Sequence, residues 1–336
     1  MRKSLLLLLS SVLAAAGLPQ AELNNGTIRV KVYLPDAAKG FYRGTRFDWS
    51  GMIDSVEYAG HRYYGLWFQR TDSKVRDFVY QGQEIVASLS TAATGPAEEF
   101  STGNSAPGFD EAKPGGTFLK IGVGVLRRPD AADYDHFRLY EIVDPSKWKT
   151  KTTRTSAEFT QQVNDPASGY GYEYRKTLRL AGSGPEMVIE HSIRNTGSKA
   201  ISSRVYNHNL LVIDGEAPGP DLTVSVPFEI RSEQPPDPKL AEIRGRQILY
   251  RRTLQDQERV MTQMDGFGPG ASDYDVRVVN AKTGAGVRIT ADRPLARLML
   301  WSIRAVMSVE PFVEFTVQPG ETYNWKLTYR YLKQGD

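Results

Sequence analysis

Short runs of alternating apolar and polar residues extend along almost the whole chain, and this pattern restricts the fold more than any other feature. Ile28, Val30, Val32 and Leu34 share one face of the first run, and the last run, 323–331, alternates in the same way. Comparable runs are Phe118 to Leu126, Phe137 to Val143, Tyr172 to Leu180, Met187 to Ile193 and Val276 to Val279. Strands of period two without crossover helices between them pair in antiparallel sheets. The sequence therefore predicts an all-β protein of about fifteen strands in large antiparallel sheets packed face to face.

The runs are separated by clusters of Gly, Pro, Asp and Asn, such as 182–185 and 215–220, which are typical of turns. The composition has no linker-like break, and we find no internal repeat. We therefore expect one domain over residues 22–336. The longest irregular stretches, 91–114 and 232–238, are predicted to be loops.

The N-terminus has the three parts of a secretory signal peptide. Arg2 and Lys3 precede an apolar run from Leu5 to Leu18, which leads to small residues and Ala21. We expect a signal peptide over residues 1–21, with cleavage after Ala21 or alternatively after Ala16. The apolar run is shorter than the ~20 residues that a membrane span needs. The mature protein is therefore predicted to be periplasmic or secreted, with no membrane span.

The composition excludes several classes of function. The chain has no cysteine, so a disulfide framework, a thiol nucleophile and a zinc–thiolate site are excluded. Lys and Arg number 42 against 39 Asp and Glu; without Arg2 and Lys3 the folded part is close to neutral. No basic cluster indicates nucleic acid as a partner. The histidines and carboxylates have no metal-ligand spacing, and we expect neither a metal nor a cofactor.

The segment 203–214 holds the strongest candidate for chemistry. Its strand-like pattern ends on Asn207-His208-Asn209 in a chain with only four histidines. Histidine is the side chain best suited to exchange protons near neutral pH. Glu310, with Glu314 close by, lies in another β-like segment and offers a carboxylate. A positioned acid and a positioned base are sufficient to open and close a sugar ring.

Several segments resemble the aldose 1-epimerases, or galactose mutarotases. The stretch 187–214 is similar to the family's strand, turn and second strand that end at an Asn-His pair. Residues 275–294 resemble the paired strands around a Lys-Thr-Gly turn, and Val309-Glu310-Pro311 stands where the family has its catalytic glutamate. The resemblance covers about residues 172–215 and 273–332. It implies a large antiparallel β-supersandwich of the galactose mutarotase-like type.

The resemblance also implies an activity and two catalytic residues. The family interconverts the α and β anomers of free aldoses, so a carbohydrate is the expected partner. By this resemblance His208 would be the acid that protonates the ring oxygen. Glu310 would be the base that removes the proton from the C1 hydroxyl. A carboxyl group works best in this role when burial raises its pKa.

The family's remaining sugar-binding residues are less clear in this chain. The second histidine, in a Leu-His-Gly-Gly motif, is absent, Arg127 is a loose counterpart of the family's arginine, and Asp265 is a candidate for its aspartate. The run 42–51 offers replacements, since Arg46, Asp48 and Trp49 supply donors, an acceptor and an aromatic plane. Arg46 and Asp48 would face the same way in a strand. We add Asn207 to these predicted sugar-binding residues.

Two other functions remain open from the sequence. One is a non-catalytic carbohydrate-binding protein of the same fold. The other is a polysaccharide lyase or hydrolase, for which Glu98 and Glu99 would be the paired carboxylates. Adjacent residues of a strand point to opposite faces, so that pair requires a kinked loop. Among the other histidines, His61 is expected at a turn and His191 on an exposed strand face.

Overall fold

The structure, a computed structural model, describes residues 17–100 and 105–336. Regular structure in this part of the chain is almost entirely β. The strands are β1 (Gln20–Asn24), β2 (Ile28–Tyr33), β3 (Ile53–Tyr58), β4 (His61–Arg62), β5 (Arg70–Thr71), β6 (Phe78–Gln81), β7 (Glu84–Ala87), β8 (Ala97–Phe100), β9 (Thr117–Lys120), β10 (Gly124–Arg127), β11 (Ile142–Asp144), β12 (Trp148–Thr152), β13 (Ser156–Asp165), β14 (Tyr170–Leu180), β15 (Glu186–Asn195), β16 (Ile201–His208), β17 (Leu222–Ser225), β18 (Ala241–Arg244), β19 (Gln247–Tyr250), β20 (Arg259–Gln263), β21 (Asp275–Asn280), β22 (Gly286–Ala291), β23 (Arg297–Ile303), β24 (Val306–Val317) and β25 (Thr322–Leu332). Two short 3₁₀ helices, Ile213–Gly215 and Ala271–Asp273, complete the regular elements of the described residues.

The largest sheet has ten antiparallel strands in the order β12-β13-β14-β15-β25-β22-β21-β17-β19-β18. Its strands keep the alternation predicted from the sequence, because every second side chain points into the core. In β14, Tyr172, Tyr174 and Leu178 are buried, whereas Arg175 and Arg179 are exposed. This sheet forms one layer of the sandwich.

A five-stranded sheet in the order β20-β23-β24-β16-β8 forms the second layer. One face packs against the ten-stranded sheet through apolar side chains such as Val205, Val309 and Val313, which belong to the larger hydrophobic core. The other face carries Tyr206, Phe312 and Trp301 toward the N-terminal part of the chain. Each layer therefore buries one apolar face against the other.

Three smaller sheets come from the first half of the chain. They are β1-β2-β3-β4, β11-β10-β9 and the three-stranded sheet β5-β7-β6. A second hydrophobic cluster, which includes Phe47, Trp67, Phe118 and Leu210, fills the space between these segments and the five-stranded sheet. The candidate site lies in this second region.

The predicted all-β class with antiparallel sheets is confirmed, but three local predictions are wrong. The stretch 91–114 was predicted as a loop and contains β8, which pairs with β16 at the edge of the five-stranded sheet. The run 118–126 is a hairpin of β9 and β10 rather than one strand, because Gly122 turns the chain at φ +77. Of 137–143, only the last two residues belong to a strand, β11.

The predicted signal peptide lies mostly outside the described residues. The first strand begins at Gln20 and pairs in register with β2, so its first two residues precede the predicted cleavage point after Ala21. Cleavage after the alternative Ala16 would leave β1 complete. The described residues contain no helix that is long and apolar enough to cross a membrane. The assignment of a leader and one domain stays a prediction.

Candidate functional site

A pocket of about 180 Å³ lies between the five-stranded sheet and the N-terminal segments. The sheet supplies its floor through His208, Glu310, Met299 and Trp301. The N-terminal segments close it from above. The residues of that upper wall are Arg46, Phe47, Trp67, Asp77, Phe78, Thr91 and Phe137.

The pair predicted from the sequence meets at this floor. His208 ends β16 and Glu310 lies on β24, the neighbouring strand, in the register that pairs Tyr206 with Phe312. The His208 Nε2 and Glu310 Oε1 atoms are 3.5 Å apart. Both side chains are largely buried, with 9% and 12% of their surfaces exposed. A histidine and a carboxyl group therefore stand side by side in the pocket.

The surroundings of His208 favour its neutral form. Its ring lies against Phe47, Tyr206 and Trp301, with centroids 5.9, 5.8 and 5.5 Å away. The buried Nδ1 atom has no hydrogen-bond partner among the described residues. Burial, and next the positive charge of Arg46, hold the pKa of His208 well below its usual range.

The surroundings of Glu310 favour its protonated form. Burial raises the pKa of this carboxyl to about 8, with Arg46 opposing the rise and Glu99 adding to it. Burial thus favours the uncharged form of both groups, a neutral imidazole and a protonated carboxyl. These directions favour Glu310 as the proton donor, whereas the family resemblance implies His208 in that role.

Arg46 is fixed above the pair by charge and by aromatic rings. Its Nε donates to Glu99 Oε2 at 2.7 Å and its Nη2 donates to Tyr206 Oη at 3.1 Å. Its guanidinium carbon lies 4.6 Å from the ring centres of both Phe47 and Phe137. Burial would raise the pKa of Glu99, but the charge of Arg46 lowers it below its usual value. Arg46 thus forms a buried ion pair with Glu99. Its Nη1 atom lies 3.8 Å from Asp77 Oδ1.

A second buried network lies on the opposite face of β8 and β16, between the two layers. Lys176 bonds to Glu98 and to the Ser50 carbonyl at 2.7 Å, and its Nζ is 3.5 Å from Asp48 Oδ2. His191 Nε2 lies 3.5 Å from Glu98 Oε1. Burial raises the pKa of both carboxyls, while the charge of Lys176 opposes the rise. Asp48, Glu98, Lys176 and His191 line no part of the 180 Å³ pocket.

Strand alternation separates the two networks. Glu98 and Glu99 are consecutive in β8 and point to opposite faces, Glu98 to Lys176 and Glu99 to Arg46. Asn207 and His208 divide in the same way, because Asn207 Nδ2 donates to Glu98 Oε1 at 2.9 Å. Glu98 and Glu99 therefore do not face a common cleft as a hydrolase pair would.

Of the predicted sugar-binding residues, only Arg46 lines the pocket. Asp48 and Asn207 belong to the opposite network. Arg46 and Asp48 do not face the same way, because residues 42–50 form an irregular segment rather than a strand. Trp49 lines a different cavity of about 560 Å³ beside Tyr42 and Arg43.

The other two predicted residues lie away from the pocket. Arg127 is on the surface, where its Nε donates to Glu141 Oε2 at 2.9 Å. Asp265 accepts a hydrogen bond from Gln263 Nε2 at 2.9 Å and does not line the pocket. Glu314, the alternative to Glu310, is half exposed and lies 3.3 Å from Arg204.

The other three histidines do not line the 180 Å³ pocket. His61 Nδ1 contacts Asp214 Oδ2 at 2.9 Å at a partly exposed position. The expectation that His191 is exposed is wrong, because it shares the inward parity of Met187, Ile189 and Ile193 in β15. Its ring stacks on Trp325 at 4.4 Å. His136 is half-buried beside Phe137, with ring centres 4.1 Å apart.

Sequence reasoning missed most of the pocket wall. Trp67, Asp77 and Phe78 come from the short strands and turns of the sheet β5-β7-β6, where the alternation is brief. Met299 and Trp301 carried a usable signal, because they share a face of β23 and lie beside Glu310 in the sheet. Among residues 17–100 and 105–336, no group of three His, Asp or Glu side chains is arranged to hold a metal ion.

Comparison with solved structures identifies the architecture. A galactose mutarotase related enzyme from Lactobacillus acidophilus superposes with a TM-score of 0.52 at 12% identity, covering 94% of this chain and 98% of that one. An aldose epimerase homologue from C. elegans gives 0.52 at 11% identity, covering 95% and 100%. This chain has the galactose mutarotase-like fold. A galactose mutarotase-like protein from Lactobacillus casei gives 0.50 at 12% identity over 93% and 99%.

The galactose mutarotase-like fold confirms the family resemblance at the level of architecture. No protein-family model matches the sequence, and no curated protein sequence matches it significantly. Structural similarity at such low sequence identity shows the fold and does not show the reaction. The reaction has to be argued from the pocket.

Proposed function

We propose that this protein is an exported mutarotase-like enzyme that opens and recloses the ring of a free sugar, with His208 and Glu310 exchanging the protons. The observation that carries the proposal is the 3.5 Å contact between His208 Nε2 and Glu310 Oε1, both of which line the pocket. The fold supports it, since solved structures with this fold include an enzyme related to galactose mutarotase.

The side-by-side arrangement suits chemistry at the anomeric carbon. The C1 hydroxyl and the ring oxygen are both bonded to C1, so the base and the acid that act on them must stand next to each other. Glu310 gives its proton to the ring oxygen while His208 Nε2 takes the proton of the C1 hydroxyl. The bond between C1 and the ring oxygen breaks, and the C1 carbonyl forms. Closure on the other face after rotation about C1–C2 returns both protons.

The charges balance over this cycle. Ring opening converts the neutral pair into a Glu310 carboxylate and a His208 imidazolium, which attract each other at this distance. The cost of two buried charges is thereby partly offset in the open-chain state. In this assignment Glu310 is the acid of the opening step and His208 is its base.

The size of the pocket supports a small substrate. At about 180 Å³ it is below the roughly 300–1,000 Å³ of sites for drug-sized ligands. The rings of Trp67, Phe78 and Trp301 offer apolar planes to the C–H faces of a sugar. We infer that a single sugar ring enters and that a longer chain does not.

Polarimetry of freshly dissolved aldoses tests the proposal. Wild-type protein should accelerate mutarotation, and Glu310→Gln and His208→Gln should each reduce kcat by about 10²- to 10⁴-fold. Glu314→Gln is the matched control, because it makes the same change four residues along β24 at a half-exposed position. Unchanged rates in both pocket variants would exclude the mechanism. Sugar binding by calorimetry without catalysis would instead identify a carbohydrate-binding protein.

A further inference from the structure

We propose that the substrate of the pocket is an aldose with a carboxylate group, a uronic acid, and that Arg259 binds this carboxylate. The inference rests on the proposed function, because it takes the contact of His208 with Glu310 as the place where C1 of the sugar reacts. It concerns a charged residue of the pocket wall, Arg259, which the exchange of protons does not use.

Arg259 is the first residue of β20, the edge strand of the five-stranded sheet. Strand alternation puts its side chain on the same face as Met261, which also lines the pocket. The side chain is exposed. Within the described residues its guanidinium group forms no ion pair and no hydrogen bond, so all of its N–H donors are available to a ligand.

The other charged groups of the pocket have partners within the protein. Apart from the reacting pair, the charged residues that line it are Arg46, Asp77 and Arg259. Arg46 Nε donates to Glu99 Oε2 at 2.7 Å, and Asp77 Oδ1 accepts from Thr91 Oγ1 at 2.8 Å. Asp77 also lies 3.8 Å from Arg46 Nη1. The positive charge of Arg259 is therefore the one in the pocket that the described residues leave without a partner.

A second arginine adds positive charge beside Arg259. Arg259 pairs across the sheet with the residue that precedes Arg304. Arg304 is fixed there, because its Nη1 and Nη2 atoms donate to the carbonyl oxygens of Asp256 and Gln83 at 2.6 and 2.7 Å. The acidic residues just before Arg259, Asp256 and Glu258, do not line the pocket. This end of the pocket therefore favours an anionic group over a neutral one.

A carboxylate suits both Arg259 and the reaction. A planar guanidinium group donates two parallel N–H bonds to a carboxylate. The sugar must keep its C1 hydroxyl to react at the pair, so its acidic group has to lie elsewhere in the molecule. Uronic acids, with the carboxylate at C6, meet both conditions, and they are single rings, as a pocket of about 180 Å³ requires. This assignment holds whichever of His208 and Glu310 gives the first proton.

Matched pairs of sugars test the preference for a carboxylate. D-galacturonate and D-galactose differ at C6 alone, and D-glucuronate and D-glucose repeat the comparison with the other C4 configuration. At pH 7 and low ionic strength we expect 1/Kd by calorimetry, and kcat/KM by polarimetry, to be about 10- to 100-fold higher for each uronate than for its neutral partner. Added salt should reduce this ratio, because it screens exposed charges. Equal or higher values for the neutral sugars, or a preference for D-glucose 6-phosphate over D-glucuronate, would overturn the inference.

The binding measurement separates this inference from the proposed function. Mutarotation of the neutral sugars without a preference for the uronates contradicts the inference alone. Tighter binding of the uronates without catalysis contradicts the proposed reaction and supports the carboxylate site. Absence of both binding and catalysis with all of these sugars contradicts both.

Substitutions of Arg259 test the cause of the preference. Arg259→Gln removes the charge, so 1/Kd for the uronate should fall by about tenfold or more, whereas 1/Kd for the neutral sugar should change by less than about twofold. Arg259→Lys keeps the charge without the planar fork and should retain part of the preference. Arg277→Gln is the matched control, because Arg277 is exposed on β21 and does not line the pocket. An unchanged preference in Arg259→Gln, in a protein whose Tm equals that of the wild type, would show that Arg259 does not bind the carboxylate.

Discussion

The two faces of β8 and β16 carry similar side chains and have different properties. One face holds Glu98 with Lys176, Asp48 and His191, and the other holds Glu99 with Arg46, His208 and Glu310. Both sets are buried. The side chains of His191 and Glu98 have no exposed surface, whereas those of His208 and Glu310 are 9% and 12% exposed and line the 180 Å³ pocket.

The difference between the two faces shows that the residue types in a buried cluster do not by themselves identify a functional site. His191 with Glu98 and His208 with Glu310 have the same 3.5 Å separation. Tyr174 contacts His191 Nδ1 at 3.0 Å and Lys176 bonds to Glu98, so the first pair is part of a buried hydrogen-bonded network. The second pair lines the 180 Å³ pocket, and the proposed chemistry is placed there for that reason.

The largest expected effect on stability comes from removing the cation of the packed network. Lys176→Met leaves Asp48 and Glu98 buried without a positive partner, which should lower the free energy of unfolding by about 3–5 kcal/mol at pH 7. Denaturant unfolding measures this loss. The loss should shrink at low pH, where both carboxyls bind protons and the missing charge matters less.

A matched control lies next to Lys176 on the same strand. Arg175→Met makes a similar change at an exposed position of β14 and should alter the free energy of unfolding by no more than about 0.5 kcal/mol. Equal losses in the two variants would contradict a stabilising role for the packed network.

The second effect concerns the dependence of stability on pH at the pocket. Burial raises the folded-state pKa of Glu310 to about 8, above its ordinary value. The contribution of Glu310 to the free energy of unfolding is therefore fully present below the unfolded pKa and is lost as pH rises through 8. Glu310→Gln removes this pH-dependent loss of stability, because Gln does not ionise. Above pH 8 the variant should exceed the wild type in stability by on the order of 3 kcal/mol, measured by urea unfolding at pH 5 and pH 9. A wild-type advantage at pH 9 would mean that Glu310 is ionised in the folded protein at neutral pH.

The smallest effect distinguishes two neighbouring glutamates. Glu99→Gln leaves Arg46 buried without its 2.7 Å carboxylate partner and should cost about 2 kcal/mol. Glu98→Gln should cost about 1 kcal/mol or less, because the pKa of Glu98 is already raised and Lys176 keeps Asp48. Only Glu99→Gln should also lower kcat/KM, since it releases Arg46 at the pocket. A larger loss of stability in Glu98→Gln than in Glu99→Gln would contradict the roles assigned to the two faces of β8.

Much of the fold and the central pair could be predicted from the sequence. Alternation is local, so the strands β2, β14, β15, β21 and β25 were recognisable from neighbouring residues alone. His208 and Glu310 were found because each sits in such a strand and resembles a family motif. Lys176 carried an unused signal, since it shares the inward parity of Tyr174 and Leu178.

The rest required contacts between distant parts of the chain. β8 is four residues long and is stabilised as a strand by pairing with β16, about a hundred residues away. Whether Asp48 and Trp49 join Arg46 depends on the path of an irregular segment, which no local pattern encodes. The upper wall of the pocket has the same origin, because loop side chains meet there only after the layers have packed.

The sequence by itself determined the all-β class and indicated His208 and Glu310 as a candidate pair, because period-two alternation and short motifs are local properties. Tertiary structure decided that the side chains of His208 and Glu310 keep some exposed surface at the 180 Å³ pocket, whereas those of His191 and Glu98 have none. It also decided which form of each group is favoured, because burial lowers the pKa of His208 and raises that of Glu310. Solvent exclusion and electrostatic surroundings arise only when all segments have packed.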